Sequence, residues 1–187
     1  MTRTSIERLA RPAVPVIPTV LFYLGVLGVA WLIAWGSGRS SPFVLHTPVA
    51  PMGVSLGVGV GCGIVLAVLS WWGEQTVPAL RRLRDGLAGR VGRVSPGSAA
   101  VMAVSSGVAE EALFRGALLP VLGVAGSSVL FGILHIGRDR TMWVWIVVAF
   151  VAGLAFAALS LSTGDILAAA TAHAVVNYVG FLSLSGR

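Results

Sequence analysis

An all-α, polytopic integral membrane bundle of about six transmembrane helices is the fold class this chain predicts. Three observations carry that reading. Of the 187 residues, 56% are hydrophobic and 11% charged, with a mean hydropathy of +0.91, a balance that water-soluble domains do not show. The apolar residues gather in runs close to the ~20 needed to cross a bilayer. No run alternates in the ten-residue pattern of a barrel strand, and in lipid only helices and closed barrels satisfy their own backbone.

The elements follow in order. An arginine-bearing amino end (Arg3, Arg8, Arg11) precedes a first span at about Val16 to Trp35. Its apolar core is too long for a cleaved signal peptide, so it reads as a retained anchor. The second span, about Met52 to Trp72, carries Gly53, Gly57 and Gly61 at i+4 steps, a face that lets another helix approach closely. No Lys-Ser/Thr follows those glycines, which excludes a phosphate-binding loop. Residues 73–97 form the one long polar loop, with Arg81, Arg82, Arg84, Arg90 and Arg93. Within it Leu80, Leu83, Leu87 and Val91 space like one face of a short interfacial helix. Four further apolar stretches cover about 98–119, 122–136, 142–162 and 166–185, separated by Pro120, the Gly137–Thr141 cluster and Ser162–Asp165. The 122–136 stretch is short for a full crossing. Two parts of one integral unit are expected: residues 1–97, with two spans and the arginine-rich loop, and residues 98–187, a membrane core.

All 13 basic residues are arginine, against seven acidic ones. In a soluble chain that excess would suggest nucleic acid; between apolar runs it reads as positive-inside bias, and no nucleic-acid partner is expected. With both termini in the cytoplasm, eleven of the 13 arginines fall on the cytoplasmic side, Arg39 faces outward and Arg115 is embedded. The tryptophans Trp31, Trp35, Trp71, Trp72, Trp143 and Trp145 lie toward span ends, as interfacial belts do. The lone Cys62 is within a span, so no disulfide framework exists. The all-arginine, Gly- and Ala-rich usage points to a bacterial inner membrane, and the sequence sets no oligomeric state.

Chemistry concentrates in the second half. Glu110 and Glu111 are adjacent within an apolar run, and Arg115 follows four residues after Glu111. Charges at that depth cost several kcal/mol, so they mark function or a needed pair. Glu111 and Arg115, at i and i+4, suit an ion pair on one helix face. Glu110 points about 100° away around the helix, and a buried carboxylate without its own cation can accept a proton. His135 alone would read as a packing or capping residue. His173 and Asn177, at i and i+4, project into one space, as an interhelical hydrogen-bond pair or as part of a site. Three helices thus each contribute groups fit for peptide hydrolysis, while the first two spans contribute almost none.

Taken together, Glu110-Glu111-Ala-Leu-Phe-Arg115, Phe131-Gly-Ile-Leu-His135 and His173-Ala-Val-Val-Asn177 fit E-E-x-x-x-R, F-x-x-x-H and H-x-x-x-N/D. In that order they resemble the CAAX protease and bacteriocin-processing (Abi) family of intramembrane proteases, over about residues 98–185. The resemblance implies a membrane-embedded glutamate-type endopeptidase of type II CAAX prenyl endopeptidase-like character. Glu110 and His135 would activate a water, His173 and Asn177 would stabilise the oxyanion, and Glu111 with Arg115 would hold the helix in place. No metal is required by that scheme. If zinc is used instead, Glu110, His135 and His173 would be its ligands. The expected partners are the lipid bilayer and a membrane-associated protein or peptide, with prenylated peptides, leader peptides and carboxyl-terminal sorting tails all open as substrates. The alternative is a non-catalytic membrane protein conferring bacteriocin immunity or scaffolding partners through helix contacts. A proton-relaying transporter fits less well, since transporters pair inverted halves and the polar groups here lie in one half. No H-E-x-x-H helix is present, Asp165 lacks a second membrane aspartate, and Ser105 and Ser106 read as packing residues.

Overall fold

A computed structural model describes residues 15–46, 49–88, 94–137 and 142–185. Arg3, Arg8, Arg11, Arg90, Val91, Arg93, Arg138, Arg140 and Arg187, which enter the charge and interfacial-helix readings, lie outside the described residues. The described chain is helical: α1 (Val16–Gly36), α2 (Met52–Thr76), α3 (Pro78–Ala88), α4 (Pro96–Glu111), a π-helical segment (Ala112–Leu118), α5 (Leu119–Ile133), α6 (Trp143–Thr163) and α7 (Leu167–Ser185). Five helical stretches are long and apolar enough to cross a membrane, with Pro96–Ile133 counted as one. Large side chains such as Ile17, Leu32, Met52, Val65 and Val147 stand exposed around the bundle. In water that surface would be an aggregation hazard; in a bilayer it faces lipid.

The Pro96–Ile133 stretch does not keep one direction. Gly123 has φ 71° and ψ 176°, a backbone conformation that only glycine adopts readily. Along a straight helix, Phe114 and Phe131 would be about 25 Å apart, yet their ring centroids are 4.9 Å apart. The chain therefore reverses at Gly123 and α5 folds back on the π segment, which keeps the expected split of 98–119 from 122–136. Beyond Gly123, α5 has ten regular residues, about 15 Å of helix, half of a ~30 Å hydrocarbon core. It ends within the bundle, beside His135.

The two halves share their cores. Ala30 and Ala34 of α1 pack with Ala112, Ala117 and Ile166. Phe114, Phe131 and Ala149 form a second cluster, and Phe156, Ala169 and Ala172, with Cys62 and Leu66 of α2 against them, a third. The α2–α7 contact differs from the expected glycine face. Gly53, Gly57 and Gly61 meet nothing, whereas Gly59 and Gly63 press on α7: a Cβ on Gly59 would meet Ala168 O at 2.6 Å, and one on Gly63 would meet Val175 Cβ at 2.7 Å. Both sets repeat every four residues, so periodicity alone does not choose between them.

One end of the bundle is closed by backbone. The α1–α2 loop lies against the α6–α7 turn, where Leu45 N–H donates to Gly164 O (2.8 Å), Ile166 N–H to Phe43 O (3.1 Å) and Ala50 N–H to Thr163 O (2.8 Å). Asp165 accepts the Leu167 N–H at the start of α7 (2.8 Å) and faces the Ser55 hydroxyl. This membrane aspartate thus has a structural use as a helix cap. At the opposite end lies α3, whose Leu80, Leu83 and Leu87 turn toward the interior.

Candidate active site

Between α1, α2, α3, α6 and α7 lies a cavity of about 700 Å³. Its wall is mostly apolar, and Glu110, His135, His173 and Asn177 all reach it. Such a mixture, an apolar concavity with a few convergent polar groups, is the usual form of a ligand or active site. The four residues come from α4, the end of α5, and α7.

Beside Glu110 in the chain is Glu111, paired with Arg115, and both are without solvent exposure. Arg115 Nη1 donates to Glu111 Oε1 at 2.8 Å and Nη2 to the Gly153 carbonyl at 3.0 Å. The guanidinium lies between the rings of Phe131 (4.5 Å), Phe156 (5.4 Å) and Phe114 (5.8 Å). Arg115 sits in the π-helical segment, where a plain α-helix was expected; π segments are rare and recur at functional sites.

Glu111 also reaches α7. Its Oε1 lies 2.8 Å from His173 Nδ1. A carboxylate paired with Arg115 can only accept, so Nδ1 carries the proton there and Nε2 is turned away from Glu111. That second nitrogen stands 3.9 Å from Glu110 Oε2. The His173 ring is stacked on Phe156 (4.9 Å, 13° between planes) and edge-on to Phe131. Packing and hydrogen bonding thus hold this imidazole in one orientation. Asn177, one turn on, donates to Ser106 Oγ at 2.8 Å.

Glu110 has no cation of its own; its Oε2 is buried with no hydrogen-bond partner. The divergence of the two glutamates around the helix, expected from their adjacency, is what the side chains show. His135 Nδ1 lies 2.7 Å from the Phe131 carbonyl, which can only accept, so its Nε2 keeps the lone pair. The ring packs against Phe131 and Trp145 at 4.7 and 5.2 Å. The packing and functional readings of this histidine are therefore compatible. Among the described residues, no three His, Cys, Asp or Glu side chains are gathered as a metal-holding group. Glu110, His135 and His173 share the cavity without forming the zinc set considered above, and no step is routed through a metal.

Two polar groups here were not singled out as site residues. Ser106, expected to serve packing, lies one turn before Glu110 and bonds Asn177 and the Ala103 carbonyl; its i−4 spacing from Glu110 was the available signal. Tyr23 of α1 lines the same cavity. Nothing in the spacing of the first span marks it.

The comparison that bears on this site covers somewhat less than half of the chain, the part that holds its polar groups. Residues 94–179 match the family model described as type II CAAX prenyl endopeptidase Rce1-like. This segment is similar to that family. The resemblance read from the three motifs is thereby borne out, and all seven motif residues fall inside the matched segment. No curated protein and no solved structure matches the chain. The apolar helices and this match together support an integral membrane protein.

Proposed function

We propose that the protein is an intramembrane endopeptidase that hydrolyses a peptide bond of a membrane-associated protein or peptide, with Glu110 as the base. The observation that carries this reading is the Glu110 carboxylate: it faces the cavity without a cation, 3.9 Å from an imidazole nitrogen that Glu111 turns toward it.

In this reading a water lies between Glu110 and His135 Nε2. Glu110 takes a proton from the water as its oxygen attacks the peptide carbonyl. The negative charge that develops on the carbonyl oxygen is met by donors from His173, when protonated at Nε2, and from Asn177 after a small turn away from Ser106. Each such donor is worth about 3 kcal/mol of transition-state stabilisation. As the C–N bond breaks, the proton held by Glu110 passes to the leaving amine, giving a new carboxylate and a free amino group. Arg115 holds Glu111 in place, and Glu111, accepting from Nδ1–H, leaves His173 Nε2 turned to the cavity, where a second proton makes it a donor.

The apolar cavity wall supports a substrate presented from the membrane rather than from water, by a lipid-modified cysteine or an apolar tail. The test is cleavage of membrane-tethered reporters by the purified full chain in proteoliposomes. The reporters are a farnesylated CAAX-type peptide, a leader peptide and a carboxyl-terminal sorting tail. Cleavage of at least one, surviving removal of divalent ions by a strong chelator, is expected. A protein acting only by helix contact, as in immunity or scaffolding, would cleave none. Reversible loss of activity with the chelator would contradict the metal-free step.

A further inference from the structure

Ser106 is enclosed where α4 meets α7, 1% exposed, and its donor and its acceptor each have a partner. The hydroxyl donates to the Ala103 carbonyl at 3.1 Å, the turn-back bond of a helical serine. A hydroxyl has one proton, so Oγ offers only lone pairs toward α7. Asn177 meets them with its Nδ2 at 2.8 Å. Turned end for end, the amide would set its carbonyl oxygen against the serine oxygen with no proton between them. So short a side chain bridges the two helices because Gly107 follows it. A Cβ on Gly107 would meet the Ala170 carbonyl at 2.8 Å and the Ala174 nitrogen at 3.0 Å, so α4 and α7 nearly touch there. Ser106 also lies one turn before Glu110, on the same face of α4.

We infer that Ser106 is a positioning residue for Asn177, one that keeps the donating end of the amide available to the reaction. Only the NH2 end can meet a developing oxyanion; the carbonyl end would repel it. By accepting from Nδ2, Ser106 holds that end toward α4, the helix that carries the base. The small turn that brings Asn177 onto the oxyanion then starts from the correct end. Without the serine oxygen the amide can exchange its ends, and a misplaced donor loses rate steeply. Ser106 touches no substrate in this role and acts through Asn177 alone. The inference rests on the peptidase reading above and on Asn177 as an oxyanion donor within it.

Ser106→Ala tests it, because alanine removes the oxygen and adds no volume. The full-length variant is assayed in proteoliposomes on whichever tethered reporter the native chain cleaves, beside Asn177→Ala, the double variant and Glu110→Gln. The expected result is kcat lowered tenfold or more, with KM within twofold and an unfolding temperature close to native. Since Ser106 acts through Asn177, the double variant should match Asn177→Ala within twofold; independent residues would multiply their effects. Ser106→Cys keeps the volume but offers a sulfur that accepts weakly, so it should lower kcat in the same direction and replaces the alanine variant if that one folds poorly. A serine needed only for packing would lower the unfolding temperature and leave kcat of the folded protein within twofold of native. That result, or a double variant slower than Asn177→Ala by the full Ser106→Ala factor, overturns the Ser106 assignment and leaves Glu110 as the base. Native-rate cleavage by Asn177→Ala removes the oxyanion donor and the role of Ser106 together. No cleavage by the native chain, or native-rate cleavage by Glu110→Gln, overturns the peptidase reading itself.

Discussion

Two adjacent carboxylates in one membrane helix have opposite surroundings, and that contrast predicts opposite mutational behaviour. Glu111 is enclosed with Arg115 and His173. Changing Glu111 to Gln leaves a guanidinium buried among three phenyl rings without its counter-ion, a loss of about 3–5 kcal/mol for breaking one side of a buried pair. Thermal unfolding in detergent should show it as a large drop in midpoint, with low yield. Asn177→Ala should behave otherwise: the fold survives, and kcat falls roughly a hundredfold with little change in KM. A matching rise in KM would assign Asn177 to substrate binding instead. At this scale the sequence was legible where chemistry sits on a single helix. Spacing alone separated Glu110 from Glu111 and joined His173 to Asn177. It was silent on Tyr23, because the lining of one cavity by helices about 90 positions apart leaves no local pattern.

Helix packing here turns on which glycines of α2 face inward. Gly63→Leu would drive its side chain into Val175 and the Ala172 carbonyl, and overpacking of that kind costs about 1–3 kcal/mol. Gly57→Leu meets open space and should be neutral. Unfolding midpoints of the two variants decide between this contact and the Gly53, Gly57 and Gly61 face expected from the sequence; equal effects would contradict the observed packing. Span positions were legible because bilayer thickness imposes them. The inward face was not, because α2 is nearly uniform in hydrophobicity around its axis, and only small differences in residue size distinguish its sides. The reversal at Gly123 was signalled by Pro120 and by the shortness of the following stretch, whereas the π segment carried no signal. The face of Leu80, Leu83 and Leu87 was legible as amphipathic; that it turns to a cavity rather than to lipid depends on neighbours the spacing does not reveal.

Across the whole molecule, the α1–α2 loop and the α6–α7 turn close one end, and the cavity lies toward the end that carries α3. The arginine distribution predicts that the α3 end is cytoplasmic. Labelling of intact cells with a membrane-impermeant thiol reagent, in a Cys62→Ser background, should then reach Ser40→Cys and miss Ser95→Cys. The reverse pattern would invert the topology and place the cavity mouth outside. The fold and the resemblance of residues 94–179 to the Rce1-like family follow from features spread along the chain and were legible from it. The central claim is narrower: Glu110 is the base of a peptidase. Its most direct test is the cleavage rate of Glu110→Gln, folded and reconstituted beside the native chain, on a reporter the native chain cleaves. The account predicts no cleavage above background at an unfolding temperature close to native; cleavage at a near-native rate would contradict it.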